Sequence, residues 1–214
     1  MYIYMTKKYL VITTINEYSS TSIEEYSKHD YNIIVVGDKK TLHESYLNKN
    51  LAYIHPENDI FHNFSSLLPF NHYCRKNIGY LYAINNNADI LFDTDDDNFP
   101  LENFDSWNQT IENSKTILSP KIPNIMSLFT TMDIWARGFP LELIQKKEPI
   151  KTESSNANEI DQIGIIQSLA KGDPDVDAIY RLTNKNYNSD IIFDENKSFI
   201  CKKNIFTQGN TQAT

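Results

Sequence analysis

The sequence predicts an α/β fold, a single domain in which a mostly parallel sheet is flanked by helices. Short runs of apolar, β-branched residues alternate with longer amphipathic segments, which is the order expected when helices connect the strands. Several short runs are apolar at almost every position, as strands are when both faces of a parallel sheet are covered. A chain of 214 residues has the length of one such domain.

The first half of the chain supplies the sheet. "YLVITTI" and "NIIVVGD" are near-continuous apolar runs, and "LAYIHP" is a weaker one. Apolar residues spaced four apart around Gly79 indicate an amphipathic helix, and Gly79 would allow that helix to pack closely. The predicted strands are Tyr9–Ile15, Asn32–Asp38, Leu51–Pro56 and Ala88–Phe92, and the predicted helices are Ser20–His29 and about Pro69–Asn87.

The second half is less regular. It predicts a strand at Thr116–Ile122, a turn-rich segment at Asp133–Pro140, a polar loop at Lys146–Glu159 and a helix at Ile160–Gly172 that Gly172 closes. We therefore expect two halves within the one domain, about 1–100 and about 101–214, with the polar loop near 145–160 in the second.

Composition excludes several classes of protein. The net charge is −8 and no basic patch is present, which argues against nucleic acid as a partner. No apolar run approaches the roughly 20 residues of a membrane span, and "KKYLVITTI" is too rich in β-branched residues for a signal peptide. The two cysteines, Cys74 and Cys201, lie far apart and favour free thiols. We expect a cytoplasmic protein.

The most informative stretch is "ILFDTDDDNFP", in which an apolar strand runs into four acids, Asp93, Asp95, Asp96 and Asp97. Carboxylates this close repel one another, so the cluster is costly to hold in one place. The run is either a solvated Asp-rich turn at a strand end or a site where a cation binds. In the second case we expect Asp93 to end the strand and the other three acids to face the cation.

Two kinds of site with closely spaced acids compete for this stretch. An EF-hand calcium loop does not fit, because Asn98 stands where a Gly is required and Phe104 where a bidentate Glu is required. A phosphatase of the haloacid dehalogenase type, which uses an Asp-x-Asp after a strand, stays a distant alternative. Against it, Asp97 stands where Thr or Val is expected, and at least two strands precede the run.

The third candidate is the Asp-x-Asp of a GT-A glycosyltransferase. The diphosphate of a nucleotide sugar is repelled by a protein of net negative charge, and a divalent cation between carboxylates and diphosphate removes that difficulty. The same cation stabilises the departing nucleoside diphosphate. Such a site needs carboxylates at the carboxyl edge of a parallel sheet, where "TTIN", "GDKKT" and "DTDDDN" all fall. The metal ligands would be Asp95, Asp96 and Asp97.

The chain resembles a known family along most of its length. "CRKNIGYLYAINNNADILFDTDDDNFP", "DIWARGFPLELI" and "GDPDVDAIYRLT" look like successive signatures of the STELLO-type glycosyltransferases, and "YLVITTIN" and "IIVVGDKKT" look like their opening strands. The order is more distantly similar to the reversibly glycosylated polypeptides, which include the UDP-arabinopyranose mutases. The resemblance implies a GT-A-like (Rossmann-like) fold, nucleotide-sugar binding and a requirement for Mn²⁺ or Mg²⁺.

Two departures from the family bear on this resemblance. The chain has no counterpart of the membrane anchor of the plant proteins, so a Golgi location does not transfer. It also ends at "IFTQGNTQAT", where related chains continue, which leaves a minimal member, a fragment and a truncated copy as alternatives.

Other candidate binding residues follow from this interpretation. Asp38 is suited to accept a hydrogen bond from a base or ribose, or to cap a turn. Lys39, Arg75 and Lys76 would offset phosphate charge, or lie on a solvated face. The predicted donor-binding residues are Thr14, Asn16, Asp38, Lys39, Arg75, Asn77 and Tyr80.

The candidate catalytic residues lie in the second half. Asp175 and Asp177 are candidates for the general base that takes a proton from an acceptor hydroxyl. Arg137 matches the sugar-accepting Arg of the mutase-like proteins, and would be a sugar acceptor, a clamp on the diphosphate or a structural partner of Asp133. Trp135 is either a platform for a sugar or part of the core.

The sequence thus favours a metal-dependent glycosyltransferase that uses a nucleotide sugar, most often a UDP-sugar, with residues about 1–100 binding the donor and about 101–214 the acceptor. The acceptor would be a glycan, lipid or protein. A mutase or self-glycosylating protein, a non-catalytic nucleotide-sugar-binding or scaffold module and a homo-oligomer stay open.

Overall fold

The computed structural model describes residues 6–57, 59–102, 104, 113–156, 163–170, 172, 174–184 and 191–207. The chain forms two compact units, Met1–Leu101 and Glu102–Thr214, called here the N-terminal unit and the C-terminal unit. The prediction of one domain made of two halves stays a prediction.

The N-terminal unit is built on a four-stranded parallel sheet in the order β3-β2-β1-β4. Short helices flank this sheet, which confirms the predicted α/β class and is consistent with a GT-A-like fold. The elements in chain order are β1 (Lys8–Thr14), α1 (Ile23–Tyr26), β2 (Asn32–Gly37), β3 (Ala52–Ile54), α2 (His62–Ser65), α3 (Lys76–Asn85) and β4 (Ile90–Asp93). Because the strands are parallel, their carboxyl ends all lie along one edge of the sheet.

The core of the N-terminal unit explains the continuous apolar runs of the sequence. Leu10, Val11 and Ile12, three consecutive residues of β1, are fully buried, so both faces of the central strand are covered. Helix α3 packs on one face, where Ile78 is also fully buried. A Cβ added at Gly79 would lie 2.4 Å from Val11 Cγ1, so this glycine allows the close approach that the sequence predicts.

We expect a Gly79→Ala substitution to lower the free energy of unfolding by about 1–3 kcal/mol, because overpacking against the sheet outweighs the better helix propensity of Ala. Urea unfolding measures the change. The matched control is Ile84→Ala on the same helix, where the side chain is 64% exposed and the change should stay within about 0.5 kcal/mol. A Gly79→Ala protein as stable as the wild type would contradict the close packing of α3.

Both predicted helices of this unit are shorter in the structure. Helix α3 starts at Lys76 rather than near Pro69, because Asn71 has a φ of 51°, a positive value that a right-handed α-helix does not accommodate. A short 3₁₀ turn, Tyr73–Arg75, leads into the helix. Helix α1 covers only Ile23–Tyr26, and the Ser27 hydroxyl after it donates a hydrogen bond to the Glu24 carbonyl, as serines at helix ends often do.

The C-terminal unit contains a mixed three-stranded sheet in the order β6-β5-β7. Strand β5 pairs antiparallel with β6 and parallel with β7. A separate cluster of buried residues includes Ile134, Val176 and Tyr180. The elements are β5 (Lys115–Ser119), α4 (Leu141–Ile144), β6 (Lys151–Ser154), α5 (Ala178–Thr183) and β7 (Phe199–Cys201).

Two predictions for the second half are wrong within the described residues. The segment predicted as a polar loop contains strand β6, whose side chains stay largely exposed, so its polar sequence is that of a sheet-edge strand. The segment predicted as the helix Ile160–Gly172 is not helical over residues 163–170. Ile165 is 84% exposed there, so the apolar spacing has no core to pack against. Residues 157–162 and 171 lie outside the described residues.

Two other features of the described residues bear on the expectations above. Within the described ranges, no helix has the length and hydropathy needed to cross a membrane. Cys74 and Cys201 are both free thiols, as expected.

Candidate functional site

An open cleft of about 400 Å³ lies at the carboxyl edge of the parallel sheet in the N-terminal unit. Its walls are the segments that follow β1, β2 and β4, together with the segment before α3. Ligands of open α/β sheets bind at this edge. The lining residues are Thr13, Thr14, Ile15, Asn16, Val36, Gly37, Asp38, Lys40, Asn71, His72, Tyr73, Arg75, Asp95, Asp96 and Asp97.

The acidic run is divided by a lysine from α3. Lys76 Nζ lies 2.7 Å from Asp93 Oδ1 and 2.8 Å from Asp95 Oδ1, and it donates to the Thr94 carbonyl at 3.0 Å. The Lys76 side chain is only 10% exposed. Burial by itself lowers the pKa of Lys76, but the Asp93 and Asp95 carboxylates outweigh it and the pKa is raised. Lys76 was expected to offset phosphate charge, but its ammonium group binds these two carboxylates instead.

Asp93 does not line the cleft. Besides Lys76, it binds the Tyr80 hydroxyl, which donates to Asp93 Oδ2 at 2.7 Å. Burial raises the pKa of Tyr80, and the neighbouring Asp93 raises it further, so the phenol stays a donor. Asp93 ends β4, as expected, and Tyr80 is placed on this carboxylate rather than in the cleft.

The next two acids differ in how firmly they are held. Asp96 Oδ2 accepts hydrogen bonds from the Thr14 hydroxyl and, at 2.8 Å, from Asn16 Nδ2. The Asp96 carbonyl also accepts from the Ser22 backbone N–H at 2.8 Å. Asp97 is exposed and makes no hydrogen bond or ion pair with any residue that the structure describes. Thr14 and Asn16 therefore orient Asp96, whereas Asp97 is free to meet a ligand.

The predicted metal ligands line the cleft, but the described residues do not form a preformed metal site there. Asp95, Asp96 and Asp97 all line the cleft, and carboxylate oxygens are the donors that Mg²⁺ and Mn²⁺ prefer. Among the described residues, however, no group of three or more His, Cys, Asp or Glu side chains is arranged to hold a metal ion. The donor chemistry fits a divalent cation, and metal binding stays a prediction.

Arg75 is a buried cation without a hydrogen bond. Its residue exposure is 2%, and Nε, Nη1 and Nη2 have no hydrogen-bond partner among the described residues. Its nearest carboxylate oxygen is Asp38 Oδ2, 3.8 Å from Nε, and its Cζ lies 4.5 Å from the centre of the Phe70 ring. A buried guanidinium with unused donors is costly, and it lines the same cleft as the acids.

Asp38 is engaged by the backbone on both oxygens. Its Oδ1 accepts from the Lys39 N–H and its Oδ2 from the Asn71 N–H, each at 2.7 Å. These bonds hold the segment after β2 against the segment before α3 and place the carboxylate beside Arg75. Asp38 lines the cleft, and its predicted contact with a base or ribose stays a prediction.

Two further predicted residues lie outside the cleft lining. Lys39 Nζ lies 4.0 Å from the centre of the Phe70 ring, and its neighbour Lys40 lines the cleft instead. Asn77 is exposed on α3, where its Nδ2 donates to the Cys74 carbonyl at 2.9 Å.

A pair of tyrosines supports the loops behind the cleft. The rings of Tyr46 and Tyr53 stack with their centres 4.9 Å apart, and the Tyr46 hydroxyl donates to the Asn16 carbonyl at 2.9 Å. A Cβ added at Gly37 would lie 2.0 Å from Tyr53 Oη. The tyrosine ring therefore occupies the space beside the last residue of β2.

The sequence did not single out eight of the residues that line the cleft: Thr13, Ile15, Val36, Gly37, Lys40, Asn71, His72 and Tyr73. The last three were assigned to a helix, and the signal against it was Asn71, since Asn adopts positive φ more readily than most residues. Lys40 belongs to the "GDKKT" segment, in which only the conformation of the turn decides which lysine meets the cleft.

In the C-terminal unit, two of the candidate segments are joined. Ala136 and Val176 form an isolated antiparallel bridge, and the Arg137 N–H donates to the Asp175 carbonyl at 3.0 Å. The side chains of these two residues are paired as well, with Arg137 Nη2 2.7 Å from Asp175 Oδ2. The structure thus brings two predicted catalytic residues into one ion pair.

One alternative given for Arg137, a structural ion pair with Asp133, is wrong. Asp133 binds Lys147 Nζ at 2.7 Å rather than Arg137. Asp177, the third catalytic candidate, caps helix α5, because its Oδ1 accepts from the Ile179 N–H at 2.8 Å.

Comparison with known proteins supports the family resemblance. No family model matches the chain. It is 26% identical over 216 aligned residues to "Probable glycosyltransferase STELLO1" of Arabidopsis thaliana, with 90% of this chain and 27% of that protein covered. It is 33% identical over 150 residues to "Probable glycosyltransferase STELLO2" of the same plant, with 60% of this chain and 18% of that protein covered.

These similarities confirm the predicted resemblance to the STELLO type. The chain spans about a quarter or less of the curated relatives it matches. The more distant similarity to the reversibly glycosylated polypeptides stays a prediction.

Proposed function

We propose, starting from the similarity to the STELLO proteins, that this chain is a glycosyltransferase-like protein that binds a nucleotide sugar in the cleft of the N-terminal unit. The observation that carries the proposal is Arg75, a residue of the cleft whose guanidinium is buried without a hydrogen bond and beside which three carboxylates line the same cleft. A diphosphate is the anion that a guanidinium binds well, through two parallel charge-assisted hydrogen bonds.

The acids of the cleft explain why the anion would come with a cation. Asp95, Asp96 and Asp97 would repel a diphosphate if they met it directly. Their oxygens suit Mn²⁺ or Mg²⁺, so we propose that the donor binds together with a divalent cation held by these three residues. When bound, such a cation supplies charge stabilisation for the departing nucleoside diphosphate. A UDP-sugar is the donor that the family resemblance favours.

The surrounding residues act as positioning groups in this proposal. Thr14 and Asn16 fix the Asp96 carboxylate, and Asp38 places the segment before α3, from which Arg75 reaches the cleft. Lys76 neutralises Asp93 and half-buried Asp95 from inside the fold, which leaves Asp96 and Asp97 as the acids without a lysine partner among the described residues. Arg75 then binds the donor, and the acids on the cleft bind its counter-ion.

The C-terminal unit would supply the groups for the acceptor. We propose Asp175 as the base that takes the proton of an acceptor hydroxyl, with Arg137 orienting its carboxylate. Asp177 is the weaker candidate because its carboxylate caps α5. The acceptor class, whether glycan, lipid or protein, and the cytoplasmic location stay predictions.

A second candidate function is self-glycosylation or a mutase reaction. It is favoured by the exposure of Arg137, whose side chain is 63% accessible and could carry a sugar. In that case intact mass after incubation with a UDP-sugar and Mn²⁺ would show a pentose or hexose adduct, which an Arg137→Lys variant would lose.

The proposal is tested by a thermal-shift screen of UDP-sugars with Mn²⁺, Mg²⁺ or EDTA, followed by an assay of UDP release. We expect a metal-dependent rise in Tm with at least one donor and its loss in Asp97→Asn. This variant is informative because Asp97 has no hydrogen bond or ion pair to a described residue, so the Tm of the ligand-free variant should equal that of the wild type. UDP release supports transfer or donor hydrolysis; binding without release supports a non-catalytic module.

Other outcomes contradict the proposal. A Tm that no UDP-sugar changes with either metal would remove donor binding. Release of phosphate from a generic phosphoester would favour the phosphatase alternative. Asp177→Asn separates the two functions of that residue, because Asn caps a helix as well as Asp does but cannot act as a base.

A further inference from the structure

Lys76 places a fixed positive charge inside the acidic run. An ammonium group has three hydrogens to donate, and three acceptors surround Lys76 Nζ: Asp93 Oδ1 at 2.7 Å, Asp95 Oδ1 at 2.8 Å and the Thr94 carbonyl at 3.0 Å. The Lys76 side chain is only 10% exposed, so its ammonium group is held in place inside the fold. Asp95, one of the proposed metal ligands, therefore already has a cation at one of its oxygens.

The other two proposed ligands differ in what they can offer a divalent cation. Asp96 Oδ2 accepts hydrogen bonds from the Thr14 hydroxyl and from Asn16 Nδ2, which leaves Oδ1 of that carboxylate. Asp97 has no hydrogen bond or ion pair with a residue that the structure describes. Because Mg²⁺ requires about six oxygen ligands, these two acids alone would hold it weakly and leave most of its ligand positions to water.

The charge of Lys76 opposes a divalent cation at the same acids. An ammonium group 2.8 Å from Asp95 Oδ1 takes up part of the negative charge of this ligand, and it repels a divalent cation at the other oxygen. Salt screens this repulsion only weakly, because Lys76 is mostly buried. Over the described ranges, no three acids are arranged to hold a metal ion, which agrees with an acidic run partly taken up by a lysine.

We propose that Lys76 competes with the divalent cation for Asp95, so that the acids of the cleft bind the cation weakly until a donor diphosphate is present. Diphosphate oxygens supply the ligands and the negative charge that Lys76 takes up, and Mg²⁺ is commonly bound by one or two carboxylates together with substrate phosphates. Cation and donor then raise each other's affinity by the same factor. The competition rests on the contacts of Lys76, whereas the part about the diphosphate rests on the proposed function.

The competition is tested by titrating Mn²⁺ into the full chain without a donor, with free Mn²⁺ measured by its EPR signal. Lys76→Gln removes the charge but keeps a hydrogen-bond donor for the Thr94 carbonyl. We expect this variant to bind Mn²⁺ at least about tenfold more tightly than the wild type. Lys76→Arg keeps the charge and should bind Mn²⁺ as weakly as the wild type. The matched control Lys49→Gln removes an exposed charge of the same unit and should leave the affinity within about twofold.

Asp93→Asn provides a second test that does not remove the lysine, in case Lys76→Gln is too unstable to titrate. The Asp93 side chain is 50% exposed and does not line the cleft, so the variant should fold. It leaves Asp95 as the one carboxylate at the ammonium group, and we expect weaker Mn²⁺ binding than in the wild type. Unchanged or tighter binding in Asp93→Asn would contradict the competition.

A titration with UDP present tests the part about the diphosphate, after subtraction of the Mn²⁺ that UDP binds without protein. UDP should raise the Mn²⁺ affinity of the wild type about tenfold or more. The factor should be smaller in Lys76→Gln, because Asp95 can then give the cation oxygens that the diphosphate supplies in the wild type. Equal factors in the two proteins would overturn this part of the proposal.

The outcomes separate this inference from the proposed function. The competition is overturned if Lys76→Gln binds Mn²⁺ no more tightly than the wild type, or if Lys49→Gln gains as much affinity as Lys76→Gln. Lys76→Arg with the affinity of Lys76→Gln would overturn it as well, since the charge would then have no effect. If Lys76→Gln gains Mn²⁺ affinity but neither UDP nor a UDP-sugar binds, the proposed donor site is wrong and the competition for Asp95 stands.

Discussion

An Arg75→Met variant is expected to bind its UDP-sugar about 100-fold more weakly than the wild type, a loss of about 3 kcal/mol. Arg75 lines the cleft, and its three guanidinium nitrogens are buried without a hydrogen bond to a described residue, so the donor would be their first hydrogen-bond partner. Met keeps much of the volume beside Phe70 but supplies no donor. Isothermal titration with Mn²⁺ present measures the change.

The same substitution should alter the free energy of unfolding by less than about 1 kcal/mol. The ion pair with Asp38, 3.8 Å from Nε, is lost, but the cost of burying a guanidinium without hydrogen bonds is lost with it, and Asp38 keeps the backbone N–H groups of Lys39 and Asn71. A structural arginine would behave in the opposite way, with a large loss of stability and an unchanged affinity.

The matched control is Lys49→Met. Lys49 is an exposed cation of the same unit, with its Nζ 4.1 Å from the centre of the Tyr18 ring, and it does not line the cleft. We expect donor affinity within about twofold of the wild type, because a distant exposed charge is screened by salt. Equal losses in both variants would mean that net charge, and not Arg75, governs binding.

The second large effect is expected at Lys76. A Lys76→Met variant should lose about 2–3 kcal/mol of unfolding free energy, because it leaves Asp93 and Asp95 as neighbouring carboxylates without their buried counter-ion. The larger losses of stability that follow when a fully buried ion pair is broken are not expected here, since the Asp93 side chain is 50% exposed. Urea unfolding at neutral pH measures the loss.

The pH dependence follows from the raised pKa of Lys76. A group whose pKa is higher in the folded protein than in the unfolded chain contributes its full stabilisation at a pH below its pKa in the unfolded chain. That contribution is lost as the pH rises through its pKa in the folded protein. The difference in unfolding free energy between the wild type and Lys76→Met should therefore stay constant from neutral pH to about 10.5, the ordinary pKa of lysine. It should narrow only above that pH. A difference that narrows below that pH would contradict this ion pair.

Two variants isolate the cause of the loss. Asp93→Asn combined with Lys76→Met should be more stable than Lys76→Met alone, because one of the two uncompensated carboxylates is gone and its repulsion of Asp95 with it. Lys147→Met breaks an exposed pair with the same 2.7 Å separation and should cost less than about 1 kcal/mol. If Lys147→Met cost as much as Lys76→Met, burial would not be the source of the effect.

Much of the fold and the position of the site could be predicted from the sequence. Continuous apolar runs such as Leu10–Ile12 admit few environments other than a covered parallel sheet, and the polar ends of such strands must meet at one edge. The same physical argument predicts Asp95, Asp96 and Asp97 at this edge, and all three line the cleft.

The rest depended on contacts that no local pattern encodes. Arg75 and Lys76 are adjacent and equally basic, yet one lies beside Asp38 and the other between Asp93 and Asp95. Only the start of α3 decides this, and the positive φ of Asn71 moved that start by several residues. The isolated bridge that brings Arg137 to Asp175 likewise joins segments distant in sequence.

The stacked tyrosines behind the cleft have a consequence for how related sequences can differ. Because Tyr53 Oη occupies the place of a side chain at position 37, Gly37 and Tyr53 form one steric unit, and a larger residue at 37 requires a smaller one at 53. The two positions should therefore covary among relatives. A relative without Tyr53 would also lose the ring on which Tyr46 stacks, and with it part of the support for Asn16 and Asp96.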